Sequence, residues 1–226
     1  MRTTNHYRIF SLLLAVVFIT ACKQDVPPQF HYEYFGLAQG RFVVYNVVEI
    51  NHDAALGQHD TLRYQMKTYW GDEYIDNEGR EGHEYLIYKR DSVQQPWMLT
   101  DVWYGLYDGI RGELVEENER KVKLVFAPTL SKIWDANAYN LNEELECFYR
   151  DIHQDTMIKN NNFDSTLVVE QETYANLIDS VRMYETYAKH IGLVYKHYQD
   201  NHYQFGSAEV VNGREFYQTF VTAGWE

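Results

Sequence analysis

Cysteine is scarce. Cys22 and Cys147 are the only two among 226 residues, too few for a disulfide framework. Proline is scarce as well, with four in the chain, and Pro27, Pro28 and Pro96 fall outside every strand pattern drawn below. Basic residues are outnumbered, 20 Lys and Arg against 33 Asp and Glu, for a formal charge of −13. Clustered Lys and Arg are what phosphate backbones and anionic lipid surfaces need, so this balance argues against nucleic acid and against charge-driven membrane docking. After residue 21 no long uncharged apolar run occurs. Several chemistries lack their signatures: there is no Gly-x-Ser-x-Gly, no P-loop, no dinucleotide fingerprint and no His-Glu-x-x-His. No Ser/Gly-rich linker, low-complexity tract or internal repeat divides the chain.

The leader is the most informative stretch present. Arg2 and Arg8 precede an apolar run that ends Ile19-Thr20-Ala21-Cys22, and Lys23, Gln24 and Asp25 follow. A basic start, an apolar middle and a small residue before the cut make a secretory signal. The run is too short for the roughly 20 residues of a spanning helix. The Ile-Thr-Ala-Cys ending looks like a bacterial lipobox, which implies cleavage before Cys22 and lipidation of that residue; a plain secretory signal with an incidental cysteine is the rival reading. The expected organisation is a signal peptide at 1–21, a lipid anchor and tether at 22–31, and one domain at 32–226. The leader holds two basic residues and no acid, so its removal takes the formal charge from −13 to −15. Lys23 after the cysteine is not an Asp-type retention signal, so the expected address is the outer membrane, with the periplasmic or surface face left open. With Cys22 lipidated, Cys147 has no disulfide partner and is expected as a buried apolar side chain.

Twenty Tyr, 11 Phe and five Trp favour pleated sheet. Apolar and alternating runs predict strands over 42–49, 61–70, 83–90, 97–107, 112–117, 121–127, 145–151, 166–171, 193–198 and 215–221, with 52–60 as a loop. Asp76-Asn77-Glu78-Gly79, Asp108-Gly109 and Asn118-Glu119-Arg120 read as turns. Ile178, Val181, Tyr184, Ala188 and Ile191 fit a helical stripe as well as strand alternation, and the segment reads as strand-like with a short helical turn. The fold class is therefore mainly β: an antiparallel barrel, half-barrel or sandwich with a short helical element.

Several stretches carry a resemblance. They include Tyr34-Phe35-Gly36-Leu37, Gly40-Arg41-Phe42-Val43-Val44-Tyr45, Tyr88-Lys89-Arg90-Asp91-Ser92, Asp101-Val102-Trp103-Tyr104, Lys123-Leu124-Val125-Phe126-Ala127-Pro128, Trp134-Asp135-Ala136-Asn137-Ala138-Tyr139-Asn140 and Tyr187-Ala188-Lys189-His190-Ile191-Gly192-Leu193-Val194-Tyr195. Through them the chain resembles a family of small uncharacterised lipoproteins of Bacteroidetes over nearly its whole mature length. The family pattern has Pro and Trp where Gly36 and Val43 stand here. At the level of fold the chain is also similar to LolA/LolB-like open barrels, a resemblance that implies lipid carriage.

No catalytic residue is assigned. Trp70, Trp97, Trp103, Tyr104 and Trp134 are candidates to line a ligand site, since aromatic rings stack on sugars and lipids; core packing is the alternative. Asp135, Asn137 and Asn140 could offer oxygens to calcium, with a hydrogen-bonded turn as the alternative, and no other cofactor is expected. His190, His197 and His202 lack zinc-site spacing. The functional expectation is a lipid-anchored, non-enzymatic binding module for a hydrophobic or glycan ligand. The alternatives are a structural subunit docked to an outer-membrane protein and an envelope glycan hydrolase using Asp135 with Glu143 or Glu144.

Overall fold

The computed structural model describes residues 28–130 and 132–226. The leader and Cys22 lie outside the described residues. Twelve antiparallel strands form one sheet: β1 Arg41–Asp53, β2 Gln58–Ile75, β3 Glu81–Arg90, β4 Met98–Tyr107, β5 Arg111–Glu116, β6 Glu119–Val125, β7 Ile133–Asp135, β8 Glu146–Ile158, β9 Asn161–Ala175, β10 Asp179–Ala188, β11 Gly192–Tyr203 and β12 Val210–Trp225. The order β6-β5-β4-β3-β2-β1-β12-β11-β10-β9-β8-β7 is a meander whose first and last strands pair. The sheet therefore curls into a nearly closed barrel, with one seam between β6 and β7.

One backbone bond and several side-chain bonds, rather than a full ladder, bridge that seam. Val122 N donates to Ala136 O at 2.9 Å, and Trp134 Nε1 donates to Val122 O at 3.0 Å. Tyr149 from β8 holds Val125 at the end of β6. Past Phe148, β8 leaves one backbone edge unpaired; three register irregularities interrupt it, a common defence against edge-to-edge pairing.

Two expectations need correction. Residues 52–60 are not a loop: β1 runs through His52 and Asp53, and β2 starts at Gln58. Segment 178–191 is strand β10 followed by a tight turn. Its charged and polar residues alternate because Val181, Glu185 and Tyr187 face a partly polar interior. The short helical element is elsewhere, a 3-10 turn at Tyr32–Tyr34.

That turn closes one end of the barrel. Tyr34 is fully buried, and its hydroxyl meets His153 Nδ1 at 2.7 Å and Ser165 Oγ at 2.8 Å. Phe35 packs on Trp70 with centroids 5.7 Å apart. It lies so close to Gly112 that a Cβ there would meet the ring at 2.8 Å. Gly36, at φ +70°, rests on the backbone of Ile191 and Gly192. Tyr32 stacks on Tyr107 and donates to Gly109 O at 2.9 Å. The N-terminal segment thus enters at the end where β2–β3, β4–β5, β6–β7, β8–β9 and β10–β11 turn, and plugs it. The other six strand connections rim the open end.

Candidate functional site

Inward residues alternate along each strand, as the pleat requires: Val43, Tyr45 and Val47 on β1, Tyr64, Met66, Thr68 and Trp70 on β2, and Met183, Glu185 and Tyr187 on β10. They enclose a cavity of about 470 Å³ above the plug.

One part of its wall is aromatic. Trp70 lies 4.4 Å from Tyr85 between centroids, and Tyr85 stacks on Trp103 at 6.4 Å and 27°. Trp103 Nε1 is buried without a hydrogen-bond partner. Gly105 makes room for this ladder, because a Cβ there would meet the Trp70 ring at 2.5 Å.

Another part is ionic. Lys123 Nζ lies 2.9 Å from Glu185 Oε1 and 3.3 Å from Glu116 Oε1. Lys196 Nζ reaches Glu185 Oε1 at 3.3 Å, and Tyr187 donates to Glu185 Oε2 at 2.5 Å. Burial opposes the Glu185 charge, but the ammonium groups of Lys123 and Lys196 outweigh it and hold this carboxyl far below the usual range. Burial likewise opposes the Lys123 charge, and Glu116 and Glu185 raise its pKa above that of an ordinary lysine. Burial first, then the Glu116 charge, pushes the Tyr85 hydroxyl up to about 12. The cluster thus sets Lys123 and Lys196, with Lys121 Nζ at 3.6 Å from Glu116 Oε2, against the carboxylates of Glu116 and Glu185, beside neutral phenols. Near the open end Arg214 Nη2 pairs with Glu49 Oε1 at 2.9 Å.

Of the five aromatic candidates, the structure brings Trp70 and Trp103 together on the cavity wall. Trp97 stacks on the Arg90 guanidinium at 4.1 Å, away from the cavity. Tyr104 packs on Tyr74 at 4.3 Å, also away from it. Trp134 packs on Tyr149 at 4.8 Å and serves the seam. Sequence reasoning missed Tyr85, Glu116, Lys123, Glu185, Tyr187 and Lys196. The available signal was a charged residue within an apolar alternation, as in Val181-x-Met183-x-Glu185-x-Tyr187.

Asp135, Asn137 and Asn140 form a hydrogen-bonded turn. Asp135 Oδ1 accepts from the backbone N–H groups of Asn137 and Leu145 at 2.8 and 2.9 Å. Asn137 Oδ1 accepts from Asn140 Nδ2 at 3.0 Å, and Asn140 Oδ1 from Asn142 N at 2.9 Å. Glu143 and Glu144 are exposed beside this turn. Cys147 is buried, and burial, followed by the nearby Glu185 charge, pushes its thiol up to about 12.

No family model matches the chain, and no curated protein matches it. Among solved structures it is similar to the crystal structure of a Bacteroides fragilis protein with a YmcC-like fold, inferred to be exported. The two share 12% identity over 82% of this chain and 97% of that one, with a TM-score of 0.41. A likeness this loose carries no functional argument.

Proposed function

We propose that the chain is an exported, lipid-anchored and non-enzymatic binding barrel of the cell envelope, and that its cavity holds a hydroxyl-rich ligand of one or two sugar rings. The observation that carries this reading is the Lys123–Glu185 pair set in the cavity wall near the Trp70–Tyr85–Trp103 ladder. A sugar ring offers C–H faces to aromatic rings and hydroxyls to charged groups, so it can use both walls. An acyl chain would desolvate the ion pairs and give nothing back, a cost of several kcal/mol. The cavity of about 470 Å³ lies within the roughly 300–1,000 Å³ of small-molecule sites. The anchoring and the outer-membrane address rest on the leader and on Cys22.

Native mass spectrometry of the mature domain, released gently from a bacterial periplasm, tests this. The expected result is a reproducible adduct in the saccharide range that is lost in Trp103→Ala. An adduct of fatty-acyl mass would replace the glycan reading with lipid carriage. A bare mass after exposure to envelope extract would overturn the binding reading in favour of a structural subunit.

A further inference from the structure

The β1–β2 hairpin carries a histidine pair outside the cavity. His52 and His59 are direct cross-strand partners, and their Nδ1 atoms lie 3.0 Å apart. Behind them, His52 Nε2 lies 3.2 Å from Glu215 Oε1 on β12. Glu215 is itself fixed, accepting from Asn201 Nδ2 at 2.9 Å and from Tyr217 Oη at 2.5 Å. The hairpin is also fastened: Ala54 N donates to Val211 O at 2.9 Å, and Asp53 Oδ1 caps Leu56 N at 3.1 Å.

We propose that His52 and His59 bind a divalent first-row transition metal ion, copper(II) in preference to nickel(II) and zinc(II). The carboxylate of Glu215 accepts a hydrogen bond from His52 Nε2–H, which leaves the Nδ1 lone pair of His52 facing His59. This is the carboxylate–histidine arrangement that orients metal ligands and raises their basicity. In the free chain His59 Nδ1–H donates to His52 Nδ1. On metal binding the His59 proton moves to Nε2 through solvent, small ring rotations turn both Nδ1 lone pairs onto one point, and no net proton is lost.

The spacing suits a cis pair of nitrogen ligands, and the ordinary affinity order of nitrogen sites favours copper. With metal–nitrogen bonds of about 2.0–2.1 Å, a nitrogen separation of 3.0 Å corresponds to an angle of about 94° at the metal. That is close to the cis angle of tetragonal copper(II) or nickel(II). Among the described residues no group of three His, Cys, Asp or Glu side chains is placed to hold a metal. Water therefore fills the remaining positions, and the site stays open to an exchangeable ligand.

Titration of the tag-free mature protein with copper(II), nickel(II) and zinc(II), followed by calorimetry and copper EPR, tests the proposal. The expected results are one copper per chain, a tetragonal signal with nitrogen coupling, and affinities in the order copper, nickel, zinc. His59 is exposed, so His59→Ala should fold normally by circular dichroism and weaken copper binding at least tenfold. Glu215→Gln should weaken it about 10- to 100-fold, as for other outer-shell partners. Copper should raise the melting temperature of the wild type and not of His59→Ala. Equal copper affinity in the wild type and in His59→Ala, or the absence of a stoichiometric site, would overturn the proposal.

Discussion

The hydroxyl of Tyr149 makes two hydrogen bonds to one residue: it accepts from Val125 N at 2.9 Å and donates to Val125 O at 2.8 Å. A phenol on β8 thereby does for the end of β6 what a neighbouring strand would do. Tyr149→Phe removes the oxygen and leaves both backbone groups of Val125 without it. The expected cost is about 1–3 kcal/mol, measured by urea denaturation, with faster amide exchange at Val125 than elsewhere in β6. Unchanged exchange there would mean that the Val122–Ala136 and Trp134–Val122 bonds hold the seam alone.

The cavity charges are mutually dependent. Lys123→Met leaves Glu116 without its nearest ammonium and Glu185 with Lys196 alone, both facing a low-dielectric interior. Breaking a buried pair in this way costs about 3–5 kcal/mol. Adding Glu185→Gln should recover part of that loss, because one stranded charge is removed. A double variant no more stable than Lys123→Met would show that solvent reaches the cluster freely.

His153 gives the plug a pH dependence. Burial, then the charges of His31 and Lys189, lowers its pKa below the ordinary 6.5, with Glu33 acting in the opposite direction. The unfolded chain therefore binds this proton more readily than the folded one. Stability rises with pH through this window and falls as pH drops below 6.5. The melting temperature should decrease from pH 7.5 to 5.5, and His153→Gln should flatten that profile. His197 is shifted the same way by its burial, so the difference between the two profiles isolates His153. Superimposable profiles would remove His153 from the acid response.

The Cys147 thiol should be inert in the folded domain. Its pKa of about 12 leaves almost no thiolate at pH 8, and the side chain is buried. A domain starting after Cys22 should show no labelling by a disulfide reagent over hours at pH 8, then one thiol per chain in urea. Labelling within minutes would reveal frequent opening next to the seam.

The β class was legible because aromatic and β-branched runs alternate between recognisable turns, as in Lys121 to Phe126 after Glu117-Asn118. Closure was not legible, since it depends on β12 returning to β1 and on Tyr149 bridging an open edge, both long-range pairings. The 52–60 stretch misled because His52, Asp53, His59 and Asp60 are polar. They form strand because the hairpin projects past the barrel rim, where neither face needs apolar residues. The same limit applied to the cavity. Trp70 and Trp103 stand out by residue type, whereas nothing local marks Glu185 and Lys123, which face inward only because the sheet curls around them.

The plug also fixes direction. Phe30 stacks on Tyr32 at the sealed end, and eight peptide steps from Cys22 to Phe30 span at most about 28 Å when fully extended. A chain tethered through Cys22 would hold its sealed end toward the bilayer and its mouth outward. Cargo would then exchange with the aqueous phase and whatever stands opposite the membrane, without passing through the leaflet that carries the anchor. The barrel would act as a cup on a short stem, filled and emptied from above.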